Sequence, residues 1–330
     1  MTIINGIEID FIRYKPNVIK AAIQNNDPIE DKLHVIAVVS NPCLYAKRYI
    51  LMKEFINRME MEETDVILYI VELAYKDQRF LITDKNNKRH LQLRTEVPIW
   101  HKENMINLGV KYLLPKDYKA FAWVDADVEF ENTTWAKDTL KILNGTKDVV
   151  QLFSHCMDMD NKEMAMSVFN SAGFKFVKND IYNPIRGANY SHPGFAWAIT
   201  RKAYDKIGGL FQTGILGSGD FIMLTSLFGV AEKYLHKDYD EGYKSAILDF
   251  QKKAKNLRFG YTPGVIRHYF HGSKVNRQYQ DRNNILIAHH YSPEKHVTVD
   301  ASGLLIPTAE FSEEFRGEIY NYFAARNEDE

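Results

Sequence analysis

Short continuous apolar runs alternate along this chain with stretches whose apolar residues recur every three or four positions. Leu33-His-Val-Ile-Ala-Val-Val-Ser40, Asp65-Val-Ile-Leu-Tyr-Ile-Val-Glu72 and Ala120-Phe-Ala-Trp-Val124 are short enough to be strands buried on both faces. Between them Tyr45, Tyr49, Met52, Ile56 and Met59 keep a helical spacing. Met105, Leu108 and Tyr112 do the same within a helix predicted over 100–114 and closed by Pro115. Strand, helix, strand, helix, strand is the pattern of a parallel α/β sheet. Further strands are predicted over 148–154, 195–200 and 258–270. Helices are predicted over 134–143, over 201–207 with Gly208-Gly209 as the stop, and from Gly217 to near Gly229. A polar stretch over 238–256 reads as a helix solvated on most of its surface. Phe80–Asp84 and His90–Arg94, joined by Lys85-Asn-Asn-Lys88, read as a short hairpin.

The pattern divides the chain into three. Residues 1–31 form an N-terminal extension, read as a strand and a helix laid on the domain. Residues 32–275 form a single α/β domain. Residues 276–330 form a tail with one helix at 310–325 and a charged end open to disorder. Within the domain, the segment from Cys156 to Ser191 shows no period. It is rich in Asn, Asp and Gly and contains Pro184 and Gly187. A structureless stretch of that length in a compact domain is commonly a functional loop or disordered.

Composition narrows the class. The 330 residues are 45% hydrophobic and 26% charged, with a net charge of −1, an ordinary soluble mix. Near-neutral charge offers no electrostatic case for nucleic acid or an anionic membrane as partner. Cys43 and Cys156 lie far apart without ligand spacing and read as free thiols. No apolar window approaches the length of a membrane span, and Met1-Thr-Ile-Ile-Asn-Gly6 lacks the pattern of a signal peptide. A soluble, cytoplasmic protein is expected.

Candidate chemistry begins at Asp125-Ala-Asp127, directly after the run at 120–124. Ligands of open α/β sheets bind beyond the carboxyl ends of the strands. Residues i and i+2 of an extended strand share a face, so the two carboxylates are expected to converge, and a divalent cation relieves their repulsion. Two unrelated chemistries use this arrangement. In one, Mn²⁺ or Mg²⁺ bridges the carboxylates to the diphosphate of a nucleotide sugar. In the other, a phosphoaspartate phosphatase, the first Asp is the nucleophile, and Asp125-Ala-Asp-Val128 suits it as well. The phosphatase motif usually lies on the first strand of its sheet, whereas two strands precede it here.

Other residues extend the candidate site. His271-Gly-Ser-Lys274 supplies an imidazole as a third metal ligand and a lysine able to meet a diphosphate. His268 is the alternative ligand, and along one extended strand only one of the two histidines is expected to face the metal. Asp220, in Gly217-Ser-Gly-Asp220, suits either a helix cap or a general base that takes a proton from an acceptor hydroxyl. Asn41 and Tyr45 after the first strand, Glu72 at the end of the second, and Lys102 and Asn104 before the pivotal strand are candidates for nucleotide and sugar binding. Gly194, Phe195 and Trp197 mark a loop-to-strand junction where a tryptophan can stack on a sugar, although tryptophan there equally suits the core.

From Val35 to about Lys274 the chain resembles glycosyltransferases of the GT-A fold. The likeness rests on Ser40-Asn-Pro42, Lys102-Glu-Asn104, Asp125-Ala-Asp127, Pro193-Gly-Phe-Ala-Trp197, Gly208-Gly-Leu210, Gly217-Ser-Gly-Asp220 and His271-Gly-Ser-Lys274. The last two motifs, with Arg277-Gln-Tyr279 and Arg282, are similar to uncharacterised GT-A enzymes of large viruses, phages and bacteria. The resemblance implies a Rossmann-like, mixed but mostly parallel central sheet flanked by helices. It implies Asp125 near the ribose and metal, Asp127 as the main ligand of Mn²⁺ or Mg²⁺, His271 closing the metal site, and Asp220 activating the acceptor of an inverting reaction. The sequence departs from the commoner Glu-Asp pair in having Gly219 before Asp220, which leaves one carboxylate there.

The expected activity is therefore transfer of a sugar from a nucleotide-diphosphate donor, a UDP-sugar favoured, to a hydroxyl of a glycan, protein or other acceptor. The loop at 156–191 is expected to close over the donor. A phosphatase using Asp125, and a non-catalytic sugar- or nucleotide-binding domain, are the alternatives.

Overall fold

The run at Ala120–Val124 becomes the middle strand of a seven-stranded sheet. Its order is Phe259–Tyr261, Val149–Gln151, Ala196–Thr200, Ala120–Val124, Leu33–Ser40, Val66–Tyr75 and His90–Thr95. The last four strands run parallel to one another, as do the first two. Ala196–Thr200 is antiparallel to both its neighbours. The sheet is thus mixed and mostly parallel, with helices on both faces. This computed structural model describes residues 3–4, 7–8, 16–25, 27–179, 190–278 and 281–330.

Alternation along the strands builds two apolar layers. Val35, Ala37 and Val39 pack with Met52, Phe55 and Met59 of helix Ala46–Met61 and with Leu140 of helix Trp135–Leu143. Ile36, Phe121 and Trp123 face the other way, against Met105 and Leu108 of helix Lys102–Tyr112 and Ile222 of helix Gly219–Leu227. Burying each such side chain contributes roughly 1.5–3 kcal/mol. Local signals set the element ends. At Arg201–Ile207, Thr200 caps the start by accepting from the Ala203 amide at 3.3 Å, and Gly208 takes φ 76° at the stop.

A second, five-stranded sheet lies beyond the carboxyl end of the middle strand, in the order Ser191–His192, Ala165–Ser171, His155–Met159, Val265–His268 and Val128–Phe130. Two expectations change here. The strand predicted over 258–270 is two strands, one in each sheet, because Pro263 has no amide to pair and Gly264 turns the chain at φ 149°. The segment expected to be irregular contains the hairpin His155–Met159 with Ala165–Ser171 and the helix Ala172–Val177. Its Pro184 and Gly187 lie outside the described residues.

Two other expectations are corrected by burial or hydrogen bonding. No hairpin forms at 80–94. His90–Thr95 instead joins the central sheet parallel to Val66–Tyr75, while the amides of Leu81, Ile82 and Thr83 donate to the Glu72 carboxylate. Helix Glu241–Ala254 is not mostly solvated, since Tyr243, Ile247, Phe250 and Ala254 are buried in the core. The C-terminal helix Glu313–Ala325 buries Phe315, Ile319, Tyr322 and Phe323 in that same core. Near the N-terminus, Ile3–Ile4 pairs with Ile7–Glu8, and helix Pro16–Gln24 buries Ala22. The remainder of the 1–31 extension falls partly outside the described residues. Among the described residues, no helix is long and apolar enough to cross a membrane.

Candidate active site

The middle strand ends at Val124, and Asp125, Ala126 and Asp127 turn out of it into Val128–Phe130 of the second sheet. The two carboxylates take different partners. Asp125 Oδ1 lies 2.7 Å from Lys102 Nζ, and its backbone amide donates to Phe195 O at 2.8 Å. Phe195 holds φ 81°, an uncommon conformation for a bulky residue and a form of strain that gathers at functional sites. Asp127 turns instead toward two histidines.

Register explains why both histidines reach Asp127. His268 pairs with Val128 in an antiparallel ladder, which brings its ring beside Asp127. The strand ends at His268, the Tyr269 amide donates to Asp127 O at 2.8 Å, and the chain folds back. His271 therefore meets the same point. The expectation that only one histidine faces the site assumed an extended chain through 271, and the turn removes that premise. His271 Nε2 is 2.8 Å and His268 Nε2 is 3.8 Å from Asp127 Oδ2, and the two Nε2 atoms are 3.3 Å apart.

Asp127, His268 and His271 present ligand atoms that all lie within 4.8 Å of one another. Donors ~2.1 Å from an ion and at right angles to one another sit about 3 Å apart, so these separations suit a small divalent cation. Among the described residues Asp127 Oδ1 is buried without a hydrogen-bond partner, an orphan that an ion would satisfy. Burial pushes the His271 imidazole down to about 4, and Arg277 adds to that, so the ring is neutral and its lone pair available. Burial alone would raise Asp127, but His271, His268 and Arg277 outweigh it and hold the carboxyl well below its usual range. Arg277 Nη2 lies 2.6 Å from His271 Nε2. A cation at Nε2 therefore requires the guanidinium to turn away, toward the cleft that it also lines.

Lys102 is the hinge of the other half. Its ammonium, 14% exposed on the side chain, lies 2.7 Å from Asp125 Oδ1 and 3.2 Å from Asp220 Oδ2. Burial opposes its charge, but Asp125, Asp220 and Glu103 raise its pKa. Burial lifts Asp125 to about 6 against the pull of Lys102, with Asp127 and Asp220 adding to the rise. Asp220 is the second residue of helix Gly219–Leu227, which Ser218 at φ 71° precedes. A Cβ on Gly194 would lie 2.9 Å from Asp220 Oδ2, so a side chain there would crowd the carboxylate.

A cavity of about 170 Å³ opens between these groups, walled by Asn41, Tyr45, Arg48, Trp100, Lys102, Asp125 and Asp127, among others. Asn41 clasps the Tyr45 backbone through both ends of its side chain, at 2.8 and 2.9 Å. Other sequence candidates stand away from this wall. The Glu72 oxygens accept from the 81–83 backbone and from Thr83 Oγ1 at 2.6 Å. Asn104 fastens the 303–305 segment, donating to Gly303 O at 3.0 Å and accepting from the Leu305 amide at 2.9 Å. Lys274 pairs with Asp158. Trp197 is fully buried and stacks on Trp123.

No protein-family model matches the chain, and no curated protein matches it. Solved structures give distant likenesses. The mannosyltransferase PcManGT from Pyrobaculum calidifontis, in complex with GDP-Man and Mn²⁺, is 12% identical with a TM-score of 0.42, over 94% of this chain and 82% of that one. The catalytic domain of Drosophila β1,4-galactosyltransferase 7, complexed with xylobiose, is 10% identical with a TM-score of 0.36, over 86% of this chain and 96% of that one. A putative nucleotide-diphospho-sugar transferase from Desulfovibrio desulfuricans G20 is 10% identical with a TM-score of 0.34, over 89% and 99%. Likenesses at these scores identify no family, and a functional reading has to come from the side chains.

Several side chains of the site carried no sequence signal. Glu103 is buried beside Lys102, accepts from Trp100 Nε1 at 3.1 Å, and is raised to about 7 by burial, with Asp220 adding to the effect and Lys102 opposing it. Asp158, fully buried, lies 2.8 Å from His268 Nδ1. Phe323 and Arg326 bring the C-terminal segment onto the cavity wall. There the Tyr45 hydroxyl donates to Ala324 O at 2.7 Å, and Glu328 pairs with Arg48 and, at 2.7 Å, with Arg326.

Proposed function

We propose that this chain is a metal-dependent glycosyltransferase that moves a sugar from a nucleotide-diphosphate donor, a UDP-sugar favoured, to an acceptor hydroxyl with inversion. The observation that carries the reading is the juxtaposition, beyond the carboxyl end of the middle strand, of the Asp127–His268–His271 cluster and the Lys102-bridged pair Asp125–Asp220. Asp127, His268 and His271 would hold Mn²⁺ or Mg²⁺, with Asp125 beside them. Bound there, the cation would neutralise the leaving diphosphate.

The remaining steps belong to the protein's own groups. Arg277 and Lys102 line the cavity and present positive charge to the donor's phosphates. Asn41 and Tyr45, at the carboxyl end of the first strand, border the space for the nucleoside. Trp100 lies on the same wall, its ring under the Arg326 guanidinium. Asp220 would take the acceptor proton, reached across the bare backbone of Gly194.

The test is donor hydrolysis over a panel of UDP-, GDP- and CMP-sugars, with and without Mn²⁺, for wild type and Asp127→Ala. Mn²⁺-dependent release from one donor, abolished by the substitution, is expected. No release from any donor together with no Mn²⁺-dependent nucleotide binding would overturn the reading. Phosphate release with fluoroberyllate trapping at Asp125 would replace it with the phosphatase.

A further inference from the structure

His268 reaches the cluster with its Nε2, so something must fix which ring nitrogen carries the proton. The parallel ladder between Val265–His268 and His155–Met159 sets His268 directly beside Asp158. Ile266 and His268 share the buried face of their strand, as Cys156 and Asp158 share that of theirs. Asp158 Oδ1 lies 2.8 Å from His268 Nδ1. An ionised carboxylate only accepts, so Nδ1 carries the hydrogen and Nε2 presents its lone pair toward Asp127 and His271.

The second oxygen of Asp158 is also occupied. Oδ2 pairs with Lys274 and accepts from Ser167 Oγ at 3.3 Å. The side chain of Asp158 is 1% exposed and that of Lys274 is 29% exposed. A carboxylate this deeply buried needs a cation to remain ionised. Lys274 supplies one, and in doing so its ammonium is directed to Asp158 rather than into the cleft.

Resting on the metal reading above, we infer that Asp158 is the positioning residue of the metal centre, locking the tautomer and orientation of His268, and that Lys274 acts through Asp158 rather than on the donor diphosphate. Outer partners of this kind set both the tautomer and the basicity of a ligand imidazole.

The experiment is Mn²⁺ binding to the full chain without donor, by calorimetry and electron paramagnetic resonance, for wild type, Asp158→Asn, Lys274→Met and Asp127→Ala. Nitrogen chemical shifts of His268 in the metal-free protein report its tautomer directly, and circular dichroism checks folding. Asp158→Asn is expected to weaken Mn²⁺ binding about 10- to 100-fold and to lose the single Nδ1–H tautomer. Lys274→Met, which leaves the carboxylate in place, is expected to weaken Mn²⁺ binding by a smaller factor while donor KM at saturating Mn²⁺ stays unchanged. If Asp158→Asn binds Mn²⁺ as wild type does while Asp127→Ala does not, the positioning role is overturned and the metal site stands. If wild type binds no Mn²⁺, the metal reading falls as well. A raised donor KM with unaltered Mn²⁺ affinity in Lys274→Met would return the lysine to the diphosphate.

Discussion

Glu103 stands where a side chain at position 219 would project. A Cβ built on Gly219 would lie 2.1 Å from Glu103 Oε1 and 2.4 Å from its Cδ. A carboxylate thus lies beside the position before Asp220, carried by the helix that also carries Lys102. Gly219→Ala is expected to destabilise the protein by about 1–3 kcal/mol through overpacking. In the Glu103→Ala background the same substitution should cost much less. Urea unfolding of the double-mutant cycle measures the difference, and additive effects would separate the two residues.

The same glutamate makes stability depend on pH. Its folded pKa, about 7, exceeds the ordinary value of 4.5, so the folded protein binds the extra proton between them. The stabilisation is complete below the unfolded value and is lost as pH rises through about 7. Glu103→Gln should flatten this part of the profile. The fall in stability from pH 5 to pH 8 is expected to shrink by up to about 3 kcal/mol, following 1.36 kcal/mol per pH unit. Denaturant midpoints of the two proteins at both pH values measure it, and parallel profiles would exclude the role.

Lys102 joins the carboxylate at the end of the middle strand to the one on helix Gly219–Leu227. Lys102→Met leaves both anions without their shared cation, and donor turnover should fall by about 10²-fold or more. Lys102→Arg should not restore it, because a planar fork cannot occupy the position of a compact ammonium between two oxygens. Steady-state kinetics on the hydrolysed donor decide this, and wild-type rates in Lys102→Met would remove the bridge from the chemistry.

Glu328 is the keystone of the C-terminal segment. Burial would raise its carboxyl, but Arg48 and Arg326 hold it well below the ordinary value of 4.5. With a lowered folded pKa, its contribution is present above the unfolded value and lost as pH falls. Glu328→Gln should cost about 3–5 kcal/mol at pH 7 by leaving the buried Arg326 and the half-buried Arg48 guanidinium groups poorly compensated. The loss should be smaller at pH 4. Thermal unfolding at both pH values and proteolysis of the 313–330 segment are the measurements.

The strands and their carboxyl ends were legible because buried parallel strands read as unbroken apolar runs, and Asp125, Asp127 and Asp220 fall at punctuated ends of elements. What stayed hidden depends on pairing between distant segments. Asp158 lies in a stretch without period, and only the ladder with Val265–His268 makes it a neighbour of His268. Glu103 is an acid in the first turn of its helix, and its burial goes with the close approach of Gly219. The Phe80–Asp84 segment reads as a strand because the apolar run Phe80-Leu-Ile82 cannot reveal that the amides of 81–83 are claimed by a carboxylate nine or more residues earlier.

The turn at Pro263-Gly264 gives the site a property shared by any device that works by phase. The chain crosses there from one sheet to the other, and every residue after it inherits the parity set at the crossing. With the present count, His268 falls on the same side as Ile266, and Arg267 faces away toward Glu131. Adding or removing one residue between 262 and 265 would invert that parity. The composition of the cleft would hardly change, yet an added residue would bring the Arg267 guanidinium, and a removed one the Tyr269 phenol, to the place of the His268 imidazole, where a cation is proposed to bind. The length of this crossing is therefore as much a part of the centre as the side chains that line it.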